Sequence, residues 1–291
     1  MSLSVSAASQ TAPSEAIAQR PFAIAVAPNG ARRTKADHPR LPMSPAELAR
    51  DAAEALEAGA AMIHLHVRDA SGAHILDADL YREAEAEVRR AIGDRLVVQI
   101  TTEAVGRYSA PEQIALIDAL QPESVSVALR EIFPEDGNEA EGAALFERME
   151  AAGTLWQLIL YDIADVQRMA EFQQRGLLPS GCLPILPVLG RYSGTGASAS
   201  EIDAFLAAGV AQHAFMTCAF GPKEASFIAL GAARGGHARV GFENNLWLPN
   251  GDMAPANADL VRAMAEAAAP TGRKLASADE LRAIWRSPAE G

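Results

Sequence analysis

The sequence predicts a (β/α)₈ barrel, an α/β fold in which eight parallel strands alternate with helices. Eight short, β-rich runs alternate with Ala/Glu/Arg-rich segments of helical period, a pattern typical of βα units on a parallel sheet. The eight repeats occupy roughly 250 residues, the usual size of such a barrel. No GxGxxG motif follows the first run, which disfavours an open dinucleotide-binding sheet.

Turn residues and helix-capping residues mark where the predicted strands and helices begin and end. The strands are predicted at 23–28, 62–67, 96–101, 124–129, 155–161, 183–189, 213–219 and 238–243. The first long helix should begin after an N-cap at Ser44, with Glu47 completing a capping box, and should end with Gly59 as its C-cap. The later helices should begin near Asp79, Ala110, Glu139, Ile163, Ser200, Pro222 and Asn257.

Composition limits the function classes. Residues 1–20 are Ser/Ala-rich without an apolar segment and are predicted to be a mobile tail, which leaves 21–291 as one barrel domain. A net charge of −12 argues against a nucleic-acid-binding surface. Apolar runs are interrupted well short of the ~20 residues that span a membrane. Two distant cysteines without a CxxC pair fit a reducing cytoplasm.

Two histidines lie one residue apart in the stretch IHLHVRD. Because side chains alternate along a strand, His64 and His66 should point the same way, with Cα atoms ~6.6 Å apart. They lie near the carboxyl end of the second strand, where the active site of such a barrel is built. The pattern fits two metal ligands, but it also fits a hydrogen-bonded pair lining the barrel.

Glu243 offers a third ligand at the end of the eighth predicted strand. Inward side chains of even-numbered strands share a layer, and in a closed barrel only the first strand separates the second from the eighth. A buried carboxylate without a partner is costly, so a nearby cation would explain it. Two His and one Glu with open positions form a catalytic type of zinc site. The alternative is a strand-end carboxylate bound to backbone amides.

Four longer motifs occur in order along the chain: APNGARRTKADHPRLPMSPAEL, EAGAAMIHLHVRD, VVQITT and GGHARVGFENNLWLPNG. In these motifs the sequence resembles the β-keto acid cleavage enzyme family over nearly the whole ordered chain. The resemblance implies a barrel that holds Zn²⁺ through His64, His66 and Glu243. It also implies a reaction in which a β-keto acid and acetyl-CoA give acetoacetate and a new acyl-CoA, and a homo-oligomer, expected to be a tetramer.

The resemblance also implies roles for other residues. Arg239, four residues before the Glu ligand, would hold a carboxylate or developing negative charge, although an ion pair joining strand and helix is an equal alternative. Thr101 and Ser126 match two hydroxyl positions, on the third and fourth strands. Asn244 stands where the family's type member has Asp, and an amide cannot take up a proton. Glu103 is therefore a candidate replacement base.

Two loops are candidates for binding anions. Arg32 aligns with a Glu of the type member, and with Arg33 and Lys35 it forms a basic run that would contact a substrate carboxylate or the phosphates of coenzyme A. The SGTGAS segment, with Gly194 and Gly196, precedes a helix whose backbone amides could cradle an anion. Solvated surface loops are the alternative in both cases.

Three other functions fit parts of the pattern. A hydrolase would use the metal to activate water, but such enzymes typically take their HxH from the first strand and an Asp from the eighth. A metal-dependent aldolase or another lyase needs the same Lewis acid and is harder to separate. A non-catalytic zinc- or metabolite-binding homologue would explain Asn244.

Overall fold

A computed structural model describes residues 15–191 and 196–286 as a closed barrel of eight parallel strands. Each strand pairs with its neighbours in sequence, and β1 pairs with β8 to close the barrel. The predicted (β/α)₈ fold is confirmed. The strands are β1 (Ile24–Val26), β2 (Met62–Leu65), β3 (Val97–Thr101), β4 (Ser124–Ala128), β5 (Leu155–Leu160), β6 (Pro184–Leu189), β7 (Ala214–Ala219) and β8 (His237–Val240).

Helices surround the barrel, and the eight that were predicted begin within two residues of the predicted positions. They are α1 (Glu15–Ala18), α2 (Pro45–Glu57), α3 (Ala78–Ile92), α4 (Ala110–Leu120), α5 (Leu129–Ile132), α6 (Glu139–Ala152), α7 (Ile163–Gln174), α8 (Ala199–Ala207), α9 (Glu224–Ala232), α10 (Asn257–Ala268) and α11 (Ala278–Arg286). Within the described residues, none of these helices is long and apolar enough to cross a membrane.

The first long helix shows the predicted cap at its start and a small difference at its end. The Ser44 hydroxyl accepts a hydrogen bond from the Glu47 amide, and the Glu47 carboxylate accepts one from the Ser44 amide. The C-cap is Ala58 rather than Gly59, because the Ala58 amide still donates to carbonyls of the last turn. The chain reverses one residue later, at Gly59 with φ +104°.

Three helices were not predicted. Helix α1 lies in the segment that we expected to be a tail, and residues 1–14 are outside the described residues. Helix α5 is a single turn after β4. Helix α11 covers the amino-terminal end of the barrel, where Arg282 donates to the carbonyls of Asp94 and Leu96 just before β3. Its Leu281 and Trp285 are buried.

The interior of the barrel changes from apolar to polar along its axis. Met62 and Val97, the first residues of β2 and β3, pack in an apolar group with Leu281 and Trp285 of α11. Farther along the same inward faces lie His64 and Gln99. The apolar end anchors the barrel, and the polar end at the carboxyl side is available for chemistry.

Strand β8 is shorter than predicted. It ends at Val240, because Gly241 adopts φ +139° and a Cβ there would lie 2.4 Å from the carbonyl oxygen of Ala27. The chain turns at this point, and the amide of Glu243 donates to the same Ala27 oxygen at 3.1 Å. Placing Glu243 on the strand was therefore wrong: it lies in the turn that follows.

A buried histidine at the opposite end makes stability depend on pH. The His237 Nδ1 accepts a hydrogen bond from the Ala23 amide at 3.1 Å. Burial, with Arg273 nearby, lowers the pKa of His237 to about 3. In the unfolded chain the pKa of this histidine is about 6.5. The stabilisation of the fold by neutral His237 is therefore complete above that pH and is lost as the pH falls toward about 3.

The variant His237→Asn should flatten this pH dependence, because the Asn oxygen can still accept the bond but does not titrate. Between pH 7.5 and 5.0 the wild type should lose about 2 kcal/mol more unfolding free energy than the variant. Urea unfolding at the two pH values measures this difference. Parallel losses in both proteins would contradict the assignment.

Candidate metal centre and active site

His64 points into the barrel from β2 with one nitrogen already engaged. Its Nδ1 lies 2.8 Å from the Gln99 Oε1, which can only accept, so Nδ1 carries the proton. The Nε2 therefore presents a lone pair, 3.6 Å from the Glu243 Oε2. Burial, followed by the charge of Arg239, lowers the pKa of His64 to about 4 and keeps the ring neutral.

His66 lies just beyond the end of β2 and is held through its backbone. The Asn29 amide donates to the His66 carbonyl at 2.9 Å, and the Asn29 oxygen accepts from the His66 amide at 3.3 Å. The ring Nε2 is 3.5 Å from the Glu243 Oε2. Neither ring nitrogen of this buried side chain has a hydrogen-bond partner within residues 15–191 and 196–286.

Glu243 reaches the histidines from the turn after β8. Arg239 donates to its Oε1 at 3.0 Å, whereas Oε2 has no hydrogen-bond partner among the described residues. Although burial alone would raise it, Arg239 and the two histidines hold the pKa of Glu243 well below its usual range. The group is therefore an anion whose second oxygen is directed at two imidazoles.

These three side chains fit a divalent metal ion. Their ligand atoms lie within 4.8 Å of one another, and all three residues are buried. Two neutral imidazole nitrogens and one carboxylate oxygen form a donor set that suits zinc and related ions. The buried atoms without hydrogen-bond partners are the ones that would bind the ion, which explains why they are not otherwise satisfied.

A cavity of about 360 Å³ opens beside this group at the carboxyl ends of the strands. Its size suits a small molecule. One wall carries the possible metal ligands, and the other walls carry both charged and apolar side chains. Among the described residues, the lining includes Arg32, His64, Thr101, Glu103, Arg130, Glu131, Ile159, Tyr161, Val188, Arg191, Phe220, Arg239 and Glu243.

Glu103 lies beside the metal group without belonging to it. Its Oε2 is 3.9 Å from the His66 Nδ1, and its side chain is 19% exposed. Burial, followed by the charges of Glu243 and Glu131, raises the pKa of Glu103 to about 7. A carboxyl group with this pKa can take up and release a proton near neutral pH.

Two hydroxyls lie near each other at the ends of β3 and β4. The Thr101 oxygen accepts from the Glu103 amide at 3.2 Å and from the Ser126 hydroxyl at 3.5 Å. Thr101 lines the cavity, but Ser126 lies behind it and is absent from the described lining. Thr101 is thus the hydroxyl placed to contact a ligand directly.

Comparison with known proteins decides the family. A sequence model described as beta-keto acid cleavage enzyme matches residues 21–286. The chain belongs to the β-keto acid cleavage enzyme family. The resemblance seen in the four sequence motifs is confirmed.

Named relatives of this family cover most of the chain. A 3-keto-5-aminohexanoate cleavage enzyme of Fusobacterium nucleatum is 30% identical over 270 residues, which is 88% of this chain and 94% of the relative. A 3-oxoadipate:acetyl-CoA acetyltransferase of Cupriavidus necator is 27% identical over 277 residues, or 92% and 96%. A solved structure, the ternary complex of ObcA with C4-CoA adduct and oxalate, shares the fold at a TM-score of 0.65 and 17% identity, covering 85% of this chain and 67% of that one.

The three basic side chains after β1, those of Arg32, Arg33 and Lys35, have different surroundings. Arg33 donates to the Phe242 carbonyl, and Lys35 pairs with Glu47 at 2.6 Å. Of the three cations, Arg32 is the one that lines the cavity. The family resemblance singled out the same residue.

Two other expected site positions lie away from the cavity lining. Asn244 is fully buried, and neither side-chain atom has a hydrogen-bond partner among the described residues. Gly196 is exposed and is not in the described lining. Gly194 lies outside the described residues.

Five charged or aromatic cavity residues were missed from the sequence: Arg130, Glu131, Tyr161, Arg191 and Phe220. All lie within three residues of a strand end, two after β4 and one each after β5, β6 and β7. Active sites of this fold are built from such βα loops. Listing the charged and aromatic residues at or just after the end of each predicted strand would have found them.

Proposed function

We propose that the protein is a metal-dependent enzyme that converts a β-keto acid and acetyl-CoA into acetoacetate and a new acyl-CoA. The observation that carries the proposal is the convergence of His64, His66 and Glu243 at the mouth of a barrel that belongs to the β-keto acid cleavage enzyme family, with ligand atoms of His66 and Glu243 that have no hydrogen-bond partner among the described residues. A relative named 3-oxoadipate:acetyl-CoA acetyltransferase supports acetyl-CoA as the co-substrate.

The metal would be held by the two histidines and the glutamate, and zinc is our first choice. When bound, a divalent ion supplies a Lewis acid for negative charge that develops on substrate oxygens. Arg239 keeps Glu243 ionised and directs its second oxygen inward. The Gln99 oxygen fixes the tautomer of His64, a common way to orient a metal-ligating histidine.

The reaction can be written with all atoms balanced. Glu103 takes a proton from C2 of the β-keto acid, and the carbanion attacks the thioester carbon of acetyl-CoA, which releases the CoA thiolate. The thiolate then attacks the original keto carbon, C3. The C2–C3 bond breaks, leaving acyl-CoA and the acetoacetate carbanion, which takes the proton back from Glu103. The raised pKa of this residue, about 7, suits both directions of transfer.

The remaining residues position the reactants. Arg239 lines the cavity while paired with Glu243, so its positive charge stabilises enolate character nearby. Thr101 presents its hydroxyl to the cavity, and Ser126 supports it from behind. Arg32 is exposed at the cavity mouth, where its charge attracts the anionic co-substrates.

The proposal is tested by turnover with and without metal. Purified protein is mixed with acetyl-CoA and several β-keto acids, and acetoacetate and the new acyl-CoA are quantified. They should form in equal amounts, disappear on chelation and return with added Zn²⁺. Metal bound without either product would contradict the reaction, and protein that retains no metal would contradict the metal centre.

A second candidate is a metal- or metabolite-binding protein without turnover. It is favoured by Asn244, whose buried amide cannot carry a proton and lies directly after Glu243. The variant Asn244→Asp separates the candidates. If the chain is an enzyme whose base is Glu103, a second buried carboxylate without a partner should lower activity at least about tenfold. A gain of activity would instead show a catalyst that lost its base.

A further inference from the structure

Arg191 stands apart from the other cations of the cavity in how it is held. Its Nη1 donates to the carbonyls of Val188 and Gly190 at 3.1 and 2.6 Å, and its Nη2 donates to the Tyr161 carbonyl. Its guanidinium lies over the Tyr161 ring, 5.4 Å from the centroid. Backbone atoms at the ends of β5 and β6 thus fix this half-buried side chain rigidly.

The positive charge of Arg191 is not neutralised by a bound side chain. Within residues 15–191 and 196–286, no carboxylate lies within 4 Å of it. Asp162, whose pKa it helps to lower, is engaged by Arg130 at 2.6 Å. By contrast, Arg130 and Arg239 each pair with acidic residues. Arg191 is therefore a fixed cation that faces a cavity.

Arg191 also retains hydrogen-bonding capacity. A guanidinium has five N–H donors, and three of these are used by the carbonyls. The two that remain are Nε–H and one N–H of Nη2, which have no acceptor among the described residues. A rigid guanidinium with two available donors matches the two oxygens of a carboxylate.

The position of Arg191 defines where such a group would lie on a substrate. In the closed barrel, β6 is four strands from β2 in either direction, so Arg191 faces the histidines across the mouth. The cavity wall on the Arg191 side, formed by β5, β6 and the residue after β7, carries the apolar lining residues Ile159, Val188 and Phe220. A ligand that spans the cavity would have the reacting keto acid at one end, an apolar middle and an anion at the other end.

We propose that Arg191 is a specificity-determining residue that binds a second anionic group on the far end of the β-keto acid, so that the preferred substrate is a dicarboxylic β-keto acid. The inference rests on the proposed function for the identity of the reacting end. The anion subsite itself rests on the contacts of Arg191.

Three substrates of related size test the proposal with acetyl-CoA. They are 3-oxoadipate, with a distal carboxylate, 3-oxohexanoate, with none, and 3-keto-5-aminohexanoate, with an ammonium group. A charge-assisted pair should raise kcat/KM for 3-oxoadipate about 10- to 100-fold over 3-oxohexanoate. The ammonium substrate should be the poorest. Equal values for the first two would overturn the proposal while leaving the proposed function intact.

The variant Arg191→Gln should remove the preference. Its kcat/KM for 3-oxoadipate should fall about 10- to 100-fold, mostly through KM, while that for 3-oxohexanoate stays within about twofold and serves as the folding control. Arg191→Lys should recover part of the loss. The matched control is Arg168→Gln, because Arg168 also stacks on an aromatic ring, Phe172, but lies outside the described cavity lining.

The KM for acetyl-CoA and the affinities of two unreactive carboxylic acids provide two further tests. If Arg191 binds coenzyme A instead, Arg191→Gln will raise the KM for acetyl-CoA equally with both keto acids, which would overturn the proposal.

Calorimetry with adipate and hexanoate needs no turnover. Adipate should bind more tightly to the wild type, and Arg191→Gln should abolish the difference. If the wild type prefers adipate but shows no turnover, the anion subsite stands and the proposed reaction is contradicted. If adipate and hexanoate bind to the wild type with equal affinity, the subsite is overturned.

Discussion

Replacing His66 with alanine is expected to abolish metal binding and activity together. Its ring nitrogens have no hydrogen-bond partner among the described residues, so the change removes a ligand without breaking a hydrogen bond. Two remaining ligands cannot hold a catalytic ion in place. Loss of a Lewis acid that contributes several kcal/mol should lower kcat/KM at least about 1,000-fold.

Thermal unfolding gives a readout that does not depend on turnover. At 100-fold excess over its dissociation constant, Zn²⁺ should raise the Tm of the wild type by on the order of 5–10 °C, and His66→Ala should show no shift. His213→Ala is the control, because the His213 ring lies near the other end of the barrel and, within the described ranges, accepts a hydrogen bond from the Leu183 amide. A zinc-dependent shift that survives in His66→Ala would contradict the assignment of the ligands.

Replacing Glu103 with glutamine should leave the metal in place but slow the reaction. Glutamine has nearly the same shape but cannot accept the C2 proton, and general-base catalysis typically contributes about 10²- to 10⁴-fold. We therefore expect kcat to fall by that factor. Metal content should not change, because Glu103 is not part of the ligand group.

Glu131→Gln is the matched control for this variant. Glu131 lines the same cavity and is also a partly buried glutamate with a raised pKa, but its carboxylate is engaged by the Ala104 amide at 3.0 Å. Its replacement should lower kcat less than about tenfold. A Glu103→Gln enzyme with more than a third of wild-type kcat would rule out Glu103 as the proton acceptor.

The barrel was predictable because its sequence signals are local. Alternating inward and outward residues and capped helices recur through the chain, and helices such as α6 and α7 begin at the predicted residue. Features set by tertiary contacts were not predictable in this way. Strand β8 ends where Gly241 passes close to the Ala27 carbonyl, a contact between two segments that are distant in sequence. Helix α11 did carry a local signal, a Ser277 and Glu280 pair at its start.

The metal group was predictable for a different reason. His64 and His66 share a face by strand alternation, and closure of the barrel brings the end of β8 within one strand of β2. The surroundings depend on loops. The proximity of His74 to His66, with rings 4.9 Å apart, follows from a bridge between Arg68 and His74 that no pattern indicated. The rigid hold on Arg191 depends on backbone carbonyls of two strands and has no sequence signature.

In the proposed reaction, the acetyl group of acetyl-CoA becomes part of acetoacetate, and the acyl group of the keto acid takes its place on CoA. The most direct test uses acetyl-CoA labelled with ¹³C in the acetyl group, metal-loaded protein and unlabelled β-keto acid. Mass spectrometry should find both labelled carbons in acetoacetate and none in the new acyl-CoA. Label that stays on CoA, or acetoacetate that carries no label, would contradict the proposed reaction.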